Sequence, residues 1–168
     1  MQETQFKPIK KKRQEKIRIE SKKAGELAHS DLHELSKGIL LDEPEQKLYI
    51  LGIIDDYTRL LWLELLRDKS AMSVSFGTMH IIGNLYKQYG IKFQSMMTDN
   101  GAEFGSGRYT KNKDKHIYEV MLKEFDIKHK YTKAYHPQTN GKIERFWRII
   151  DEEMLNGTRY KNFEELRD

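Results

Sequence analysis

The chain has 168 residues, of which 33% are charged and 38% hydrophobic, with a net charge of +4 and no cysteine. This length suits one globular domain and is short for two. The absence of cysteine excludes disulfides, thiolate zinc sites and cysteine nucleophiles. No apolar run approaches the roughly 18 residues of a transmembrane helix, and the N-terminus has no signal-peptide stretch. The composition therefore predicts a cytoplasmic protein without a membrane partner.

The positive charge is concentrated at the start of the chain. Residues 1–23 carry nine basic and three acidic side chains, a net charge of +6, so the remaining residues carry −2. Such an arm binds DNA without reading its sequence, because neutralised phosphates release their counterions. We therefore predict a basic arm at residues 1–24 and a globular core at residues 25–168. The alternative is that the arm is a solvated linker or an expression tail.

The first elements of the core are predicted to be strands. A short strand is expected at residues 31–35. The continuous apolar run at residues 48–54 is typical of a strand that is buried on both faces. A turn at residues 55–58 then leads into a second strand at residues 59–66, which together predict a hairpin.

The pattern changes at Ser70, a candidate N-cap, after which apolar residues recur every three or four positions until Gly90, a candidate C-terminal glycine. The later expected elements are a strand at 91–98, a turn at 99–101, a loop at 105–115, a helix at 117–125 and a strand at 127–131. A long helix is expected to begin at Thr139 or Asn140, and Asn162 is expected to cap a further helix. This alternation predicts an α/β fold with a mixed sheet.

Three carboxylates are candidates for a metal site. Asp99 follows a predicted strand, Glu144 lies at the edge of the apolar stripe of the long helix, and Asp31 lies upstream on the first strand. Mg²⁺ prefers carboxylate and water ligands, and two ions about 3.5–4 Å apart can support an in-line displacement at phosphorus. The chain has 26 acidic residues, so the spacing of three carries little information without the local motifs.

Two local motifs make the assignment specific. Residues 98–101 read Thr-Asp-Asn-Gly with Phe104 close behind, and residues 135–145 read Tyr-His-Pro-Gln-Thr-Asn-Gly-Lys-Ile-Glu-Arg. Both motifs resemble those of the retroviral-type integrase core and of bacterial insertion-sequence transposases. The Asp-Asp-Tyr-Thr-Arg sequence at residues 55–59 is also similar to these families. The resemblance covers roughly residues 25–168.

This resemblance implies a ribonuclease H-like α/β fold, with a five-stranded mixed sheet flanked by helices and the first three strands antiparallel. It implies that Asp31, Asp99 and Glu144 are the catalytic carboxylates and bind two Mg²⁺ or Mn²⁺ ions. The implied reaction uses water to cut a DNA strand and then the freed 3′-hydroxyl to attack target DNA, without a covalent enzyme intermediate. Transposon ends, target DNA and further copies of the chain are the implied partners.

The chain departs from the family pattern in two places. The family often has an aromatic residue before the first aspartate, where this chain has Ala28-His29-Ser30, and Asp42 is a rival for that position. The 44 residues between Asp99 and Glu144 exceed the spacing typical of retroviral enzymes, and the loop at 105–115 is the obvious insertion. The chain is also expected to be a fragment of a longer transposase.

Candidate DNA contacts surround the carboxylates, since basic and amide side chains can position phosphates without reading bases. These candidates are Asn100, His136, Lys142, Arg145 and Arg148. Each basic residue is as well explained by an exposed helix face of mixed charge, and His136 by a role in anchoring its loop. Gly101 is expected to permit the turn after Asp99, and Asn100 to tolerate an unusual φ there.

Other residues have structural explanations. Asp55 and Asp56 are expected to accept hydrogen bonds from a turn. A zinc site from His29, Asp31 and His33, which share a strand face, has no fourth ligand in sight. Two rival functions stay open: a ribonuclease H-like nuclease that only hydrolyses, and a non-catalytic DNA-binding or assembly module.

Overall fold

A computed structural model describes residues 21–105, 113–132 and 141–168. Its centre is a five-stranded sheet in the order β3-β2-β1-β4-β5. The strands are β1 (Ala28–Glu34), β2 (Tyr49–Asp55), β3 (Leu61–Leu66), β4 (Ser95–Thr98) and β5 (Lys128–Tyr131). The first three pair antiparallel, whereas β4 pairs parallel with both β1 and β5. The predicted mixed sheet is confirmed.

Four α-helices are found in the described residues, and the predicted caps of two of them are confirmed. They are α1 (Ala71–Tyr89), α2 (Ile117–Glu124), α3 (Gly141–Ile150) and α4 (Phe163–Arg167). The Ser70 side chain accepts a hydrogen bond from the Ser73 N–H, and Gly90 ends α1 with φ of 67°, which glycine adopts without a Cβ clash. Asn162 caps α4 by accepting from the Glu165 N–H.

The two faces of the sheet carry separate apolar cores. Leu51 and Ile53 of β2 pack with α1 and α2, whereas Ile50 and Ile54 pack with Trp147 and its neighbours on α3. Successive side chains of a strand point to opposite faces, so all seven residues of β2 are buried. The prediction of a strand covered on both faces is confirmed, and α3 is placed over the face of β1 that carries Asp31.

Several element boundaries differ from the predicted ones. β1 begins three residues earlier than expected, at Ala28, and β4 is shorter than the predicted strand at 91–98. Before β4, Gln94 donates its N–H to the Gly25 carbonyl and its carbonyl accepts from the Lys128 N–H. The chain continues beyond α3 in a π-helical turn at Asp151–Leu155.

Some predictions fall outside the described residues. These are the basic arm up to residue 20, most of the loop at 105–115, the proposed helix start at Thr139 or Asn140, and His136. Within the described part of the chain, no helix has the length and apolar character needed to cross a membrane.

Candidate active site

Asp31 lies in the middle of β1, between two neighbouring strands. It is the antiparallel partner of Gly52 on β2. On its other side, β1 pairs parallel with β4 through Ala28 with Met96 and His29 with Met97. Continuing this register by two residues brings Asp31 level with Asp99, the first residue after β4. Residues level with each other on adjacent strands lie side by side on one face.

The turn that carries Asp99 is held by side chains. The buried Thr98 hydroxyl donates to the Asp99 carbonyl oxygen at 2.8 Å and lies 2.9 Å from His129 Nε2. Asp99 Oδ1 accepts the Gly101 N–H at 2.8 Å. Asn100 donates its amide to the carbonyl of Thr132 at 3.2 Å, which fixes the turn to the end of β5.

The prediction that Gly101 and Asn100 are needed in this turn for unusual backbone angles is wrong. Gly101 has φ of −59° and ψ of 149°, angles that any residue adopts. Asn100 is absent from the positive-φ residues of the described chain, which outside glycine are Arg59 and Asp126. The predicted support of the loop by the Asn100 amide is instead consistent with its hydrogen bond.

Glu144 lies on the first turn of α3 and is exposed. Burial raises the pKa of Asp31 above its ordinary value, and the negative charges of Asp99 and Glu144 raise it further, against hydrogen bonds from Trp147 and the Leu32 backbone. The charges of Asp99 and Glu144 therefore disfavour the ionised form of Asp31. No three carboxylate or imidazole groups of the described residues already form a cluster able to hold a metal ion, so assembly of the site stays a prediction.

Trp147 connects α3 to Asp31. Its indole N–H donates to Asp31 Oδ2 at 2.9 Å, and its ring stacks on His33 with a centroid distance of 5.1 Å. Sequence reasoning placed Trp147 only in the apolar stripe of the helix and missed this contact. The available signal was Gly52, since a glycine inside a buried strand marks the close approach of another group. A Cβ at position 52 would lie 2.5 Å from the indole Cη2.

Asp56 anchors the other end of α3. This fully buried carboxylate accepts the Ser21 N–H at 2.9 Å, lies 2.9 Å from His29 Nε2, and pairs with the Lys142 ammonium. Burial alone would raise the pKa of Asp56, but hydrogen bonds from Lys142, Ser21 and His29 hold it well below its ordinary value. The neighbouring Asp55 accepts the Gly25 N–H. These contacts agree with the structural role predicted for both aspartates.

The candidate DNA contacts divide into two groups. Asn100, Arg145 and Arg148 are exposed, and the two arginines lie beside Glu144 on α3. Lys142 is directed to the buried Asp56, so its charge already has a partner within the protein. The geometry alone does not test whether any of these residues contacts DNA.

Two alternatives to the three-carboxylate site are a zinc site at His29, Asp31 and His33, and Asp42 in place of Asp31. His29 Nε2 lies 2.9 Å from Asp56 Oδ1, and His33 Nε2 lies 2.7 Å from Asp151 Oδ1. Among the described residues, His29, Asp31 and His33 do not form a group that could hold a zinc ion. Asp42 is exposed and donates its N–H to the carbonyl of Lys161 near the C-terminus. The hydrogen bond from Trp147 places Asp31 beside α3, the helix that carries Glu144, which favours Asp31 over Asp42 as the first carboxylate.

The chain is similar to known integrases in sequence. Residues 125–168 match the family model described as the integrase core domain. The chain is 30% identical over 129 residues to the candidate integrase ORF3 of Spiroplasma virus SpV1-C74, covering 70% of this chain and 35% of that protein. It is 29% identical over 106 residues to the retrovirus-related Pol polyprotein from transposon TNT 1-94 of Nicotiana tabacum, covering 63% of this chain and 7% of that protein.

The fold is similar to solved integrase structures. The simian T-cell lymphotropic virus intasome gives a TM-score of 0.59 at 11% identity over 80% of this chain and 44% of that chain. The catalytic core domain of BIV integrase gives 0.52 at 19% identity over 76% and 68%. The HTLV-2 integrase catalytic core in complex with magnesium gives 0.50 at 16% identity over 79% and 76%.

The structural matches establish the ribonuclease H-like fold. The sequence matches support an integrase or transposase catalytic core. The chain spans about a third of the length of the viral relative. Activities of the whole relatives are therefore matters of proposal for this chain.

Proposed function

We propose that this chain, an integrase- or transposase-type catalytic core by sequence and fold, cuts and joins DNA strands by metal-dependent phosphoryl transfer. One observation carries the proposal. In the register of β1 and β4, Asp31 is level with Asp99, and Trp147, three residues after Glu144 on α3, donates to Asp31. Carboxylates brought near one another in this way are tolerated where a cation compensates them.

The donor set fits a hard divalent cation. All three side chains offer carboxylate oxygens, which suit Mg²⁺ or Mn²⁺, whereas a softer ion would favour sulfur or imidazole ligands. Asp31, Asp99 and Glu144 would together hold two ions. Bound metal would supply an activated oxygen nucleophile and stabilisation of the leaving oxygen. The HTLV-2 core of similar fold was solved with magnesium, which supports this choice of ion.

The chain's own residues have distinct roles in the proposal. Asp31 is fixed by pairing with Gly52 of β2, and Asp99 by the hydrogen-bonded turn after β4. Arg145 and Arg148, exposed beside Glu144, hold the DNA backbone through its phosphates. Asn100 and His136 contact the same DNA strand. Lys142 contributes less to DNA binding, because its charge neutralises Asp56.

Two partners complete the proposal. The basic arm at residues 1–24 adds sequence-independent affinity for DNA to the core at residues 25–168. Further copies of the chain assemble on transposon ends and target DNA, since related structures are described as an intasome and as dimeric and trimeric cores.

Strand transfer tests the proposed function directly. A donor DNA with a pre-cut 3′-end is incubated with target DNA, Mg²⁺ and either the parent chain or Glu144→Gln, and joined products are counted. The variant should lose about a thousandfold in rate, because metal ions contribute several kcal/mol to the transition state and about 1.4 kcal/mol is tenfold. Glu152→Gln, an exposed change in the turn after α3, is the matched control and should retain activity.

The same assay separates the rivals. A nuclease would release cleaved DNA with Mg²⁺ and give no joined product. A non-catalytic module would do neither and would bind DNA equally well with Glu144→Gln. Undiminished joining by Glu144→Gln would exclude the proposed mechanism.

A further inference from the structure

We propose that Trp147 is a positioning residue for the metal site: its indole N–H orients the Asp31 carboxylate and fixes α3, which carries Glu144, against β1. This inference rests on the proposed function and adds a residue to it. The carrying contact is the 2.9 Å hydrogen bond from Trp147 Nε1 to Asp31 Oδ2. The indole is 6% exposed, so little water competes for the carboxylate oxygen.

The hydrogen bond links two elements that are distant in sequence. Trp147 follows Glu144 by three residues, so both side chains lie on neighbouring parts of the helix surface. A shift of α3 along or away from the sheet would therefore break the Trp147–Asp31 bond and move Glu144 together. The bond therefore ties α3, which carries Glu144, to β1, which carries Asp31.

The sheet is shaped to receive the indole. Gly52 is the cross-strand partner of Asp31, and it leaves open the space that the ring occupies. A Cβ at position 52 would lie 2.5 Å from Cη2 and 2.8 Å from Cζ2 of Trp147, and 3.3 Å from Cδ1 of Ile143. Because real Cβ atoms do not approach other atoms so closely, a side chain here would displace the ring from its seat.

The ring is also held from a second side. His33 stacks on it at 5.1 Å with an interplanar angle of 13°. His33 in turn lies within hydrogen-bonding distance of Asp151, the residue that follows α3. With Gly52 and His33 fixing its plane, the indole has one orientation in which to donate its proton. This is the arrangement expected of an outer residue that orients a metal ligand.

A metal titration tests the positioning role. Mn²⁺ binding is measured by calorimetry on the full chain as the parent, as Trp147→Phe and as Trp62→Phe. Trp147→Phe keeps an aromatic ring but removes the N–H donor, and Mn²⁺ affinity should fall about tenfold, since lost outer contacts cost about 10–100-fold. Trp62 lies on β3 against Tyr89, away from Asp31, so Trp62→Phe should bind as the parent does.

The outcomes separate this inference from the proposed function. Parent-like Mn²⁺ affinity of Trp147→Phe would overturn the positioning role and leave the metal site standing. Absence of Mn²⁺ binding to the parent would overturn the proposed function and the positioning role with it. A thermal melt in chelator accompanies each titration to verify that the variants are folded.

A second measurement keeps Trp147 in place, so it does not depend on the folding of Trp147→Phe. The chain has two tryptophans, and Trp62→Phe leaves one indole N–H signal in a ¹H–¹⁵N spectrum. That signal should move when Mg²⁺ is added, and Asp31→Ala in metal-free protein should move it towards the position of an unbonded indole. An indole signal that ignores Asp31→Ala would refute the contact.

Discussion

Asp56→Ala tests how α3 is anchored to the sheet. Asp56 is 1% exposed and is the common acceptor of the Ser21 N–H, the His29 imidazole and the Lys142 ammonium. Its replacement by alanine removes these three contacts and the 3.5 Å ion pair with Arg59. Because Lys142 is the second residue of α3, the change should loosen the helix at the end that precedes Glu144.

The expected cost follows from the burial of each partner. Removing one member of a buried ion pair costs about 3–5 kcal/mol. The Lys142 side chain is 27% exposed and can turn towards water, which places the estimate at the lower end, about 3 kcal/mol. His29 is buried with its side chain 3% exposed and is left without its acceptor. At roughly 2–4 °C per kcal/mol for a domain of this size, Tm should fall by about 6–12 °C.

The assay is a thermal melt at neutral pH and again in acid. The native pKa of Asp56 is lowered, so its stabilisation is present above the unfolded value of 3.8 and is lost progressively as pH falls from that value towards the lower native pKa. The difference between parent and Asp56→Ala should therefore shrink below about pH 4. Glu45→Ala, which breaks an exposed pair with Lys37, is the control and should leave Tm unchanged. An equally small change for Asp56→Ala at neutral pH would refute the anchoring role.

Three further results are expected. Gly52→Ala should lower stability by about 1–3 kcal/mol through overpacking against Trp147. Gly83→Ala, on α1 with open space around it, should instead raise Tm in the same melt. A Gly52→Ala variant as stable as the parent would contradict the close packing of Trp147 against Gly52. Asp31→Asn should raise the metal-free Tm, because it removes a partly buried charge that desolvation and the charges of Asp99 and Glu144 disfavour; a lowered Tm would argue against this repulsion. Deleting residues 1–23 should weaken DNA binding and flatten the dependence of log affinity on log salt, and an unchanged slope would make the arm a passive linker.

Local patterns were sufficient for most of the fold. The apolar run of β2 indicated burial on both faces, and both caps of α1 followed from Ser70 and Gly90 because capping depends on neighbouring residues alone. The start of β4 was predicted too early. There the backbone of Gln94 bonds to Gly25 and Lys128, and such distant pairing leaves no trace in local apolar periodicity.

The site was predictable only in part for the same reason. The motifs around Asp99 and Glu144 are contiguous and indicated the carboxylates. The residues that hold them are brought together by the fold: 116 positions separate Trp147 from Asp31, and 86 separate Lys142 from Asp56. Lys142 is an example: its position beside Glu144 in the sequence predicted a contact with a DNA phosphate, whereas in the structure its partner is the buried Asp56.

A crystal of this chain soaked in Mn²⁺ tests the central claim most directly, because anomalous scattering locates the ion without reference to activity. We predict Mn²⁺ bound between the carboxylates of Asp31, Asp99 and Glu144, with two ions about 3.5–4 Å apart at full occupancy. Asp31→Ala, soaked in the same way, should lose the anomalous signal. Mn²⁺ bound elsewhere, or at Asp99 and Glu144 without Asp31, would contradict the three-carboxylate site.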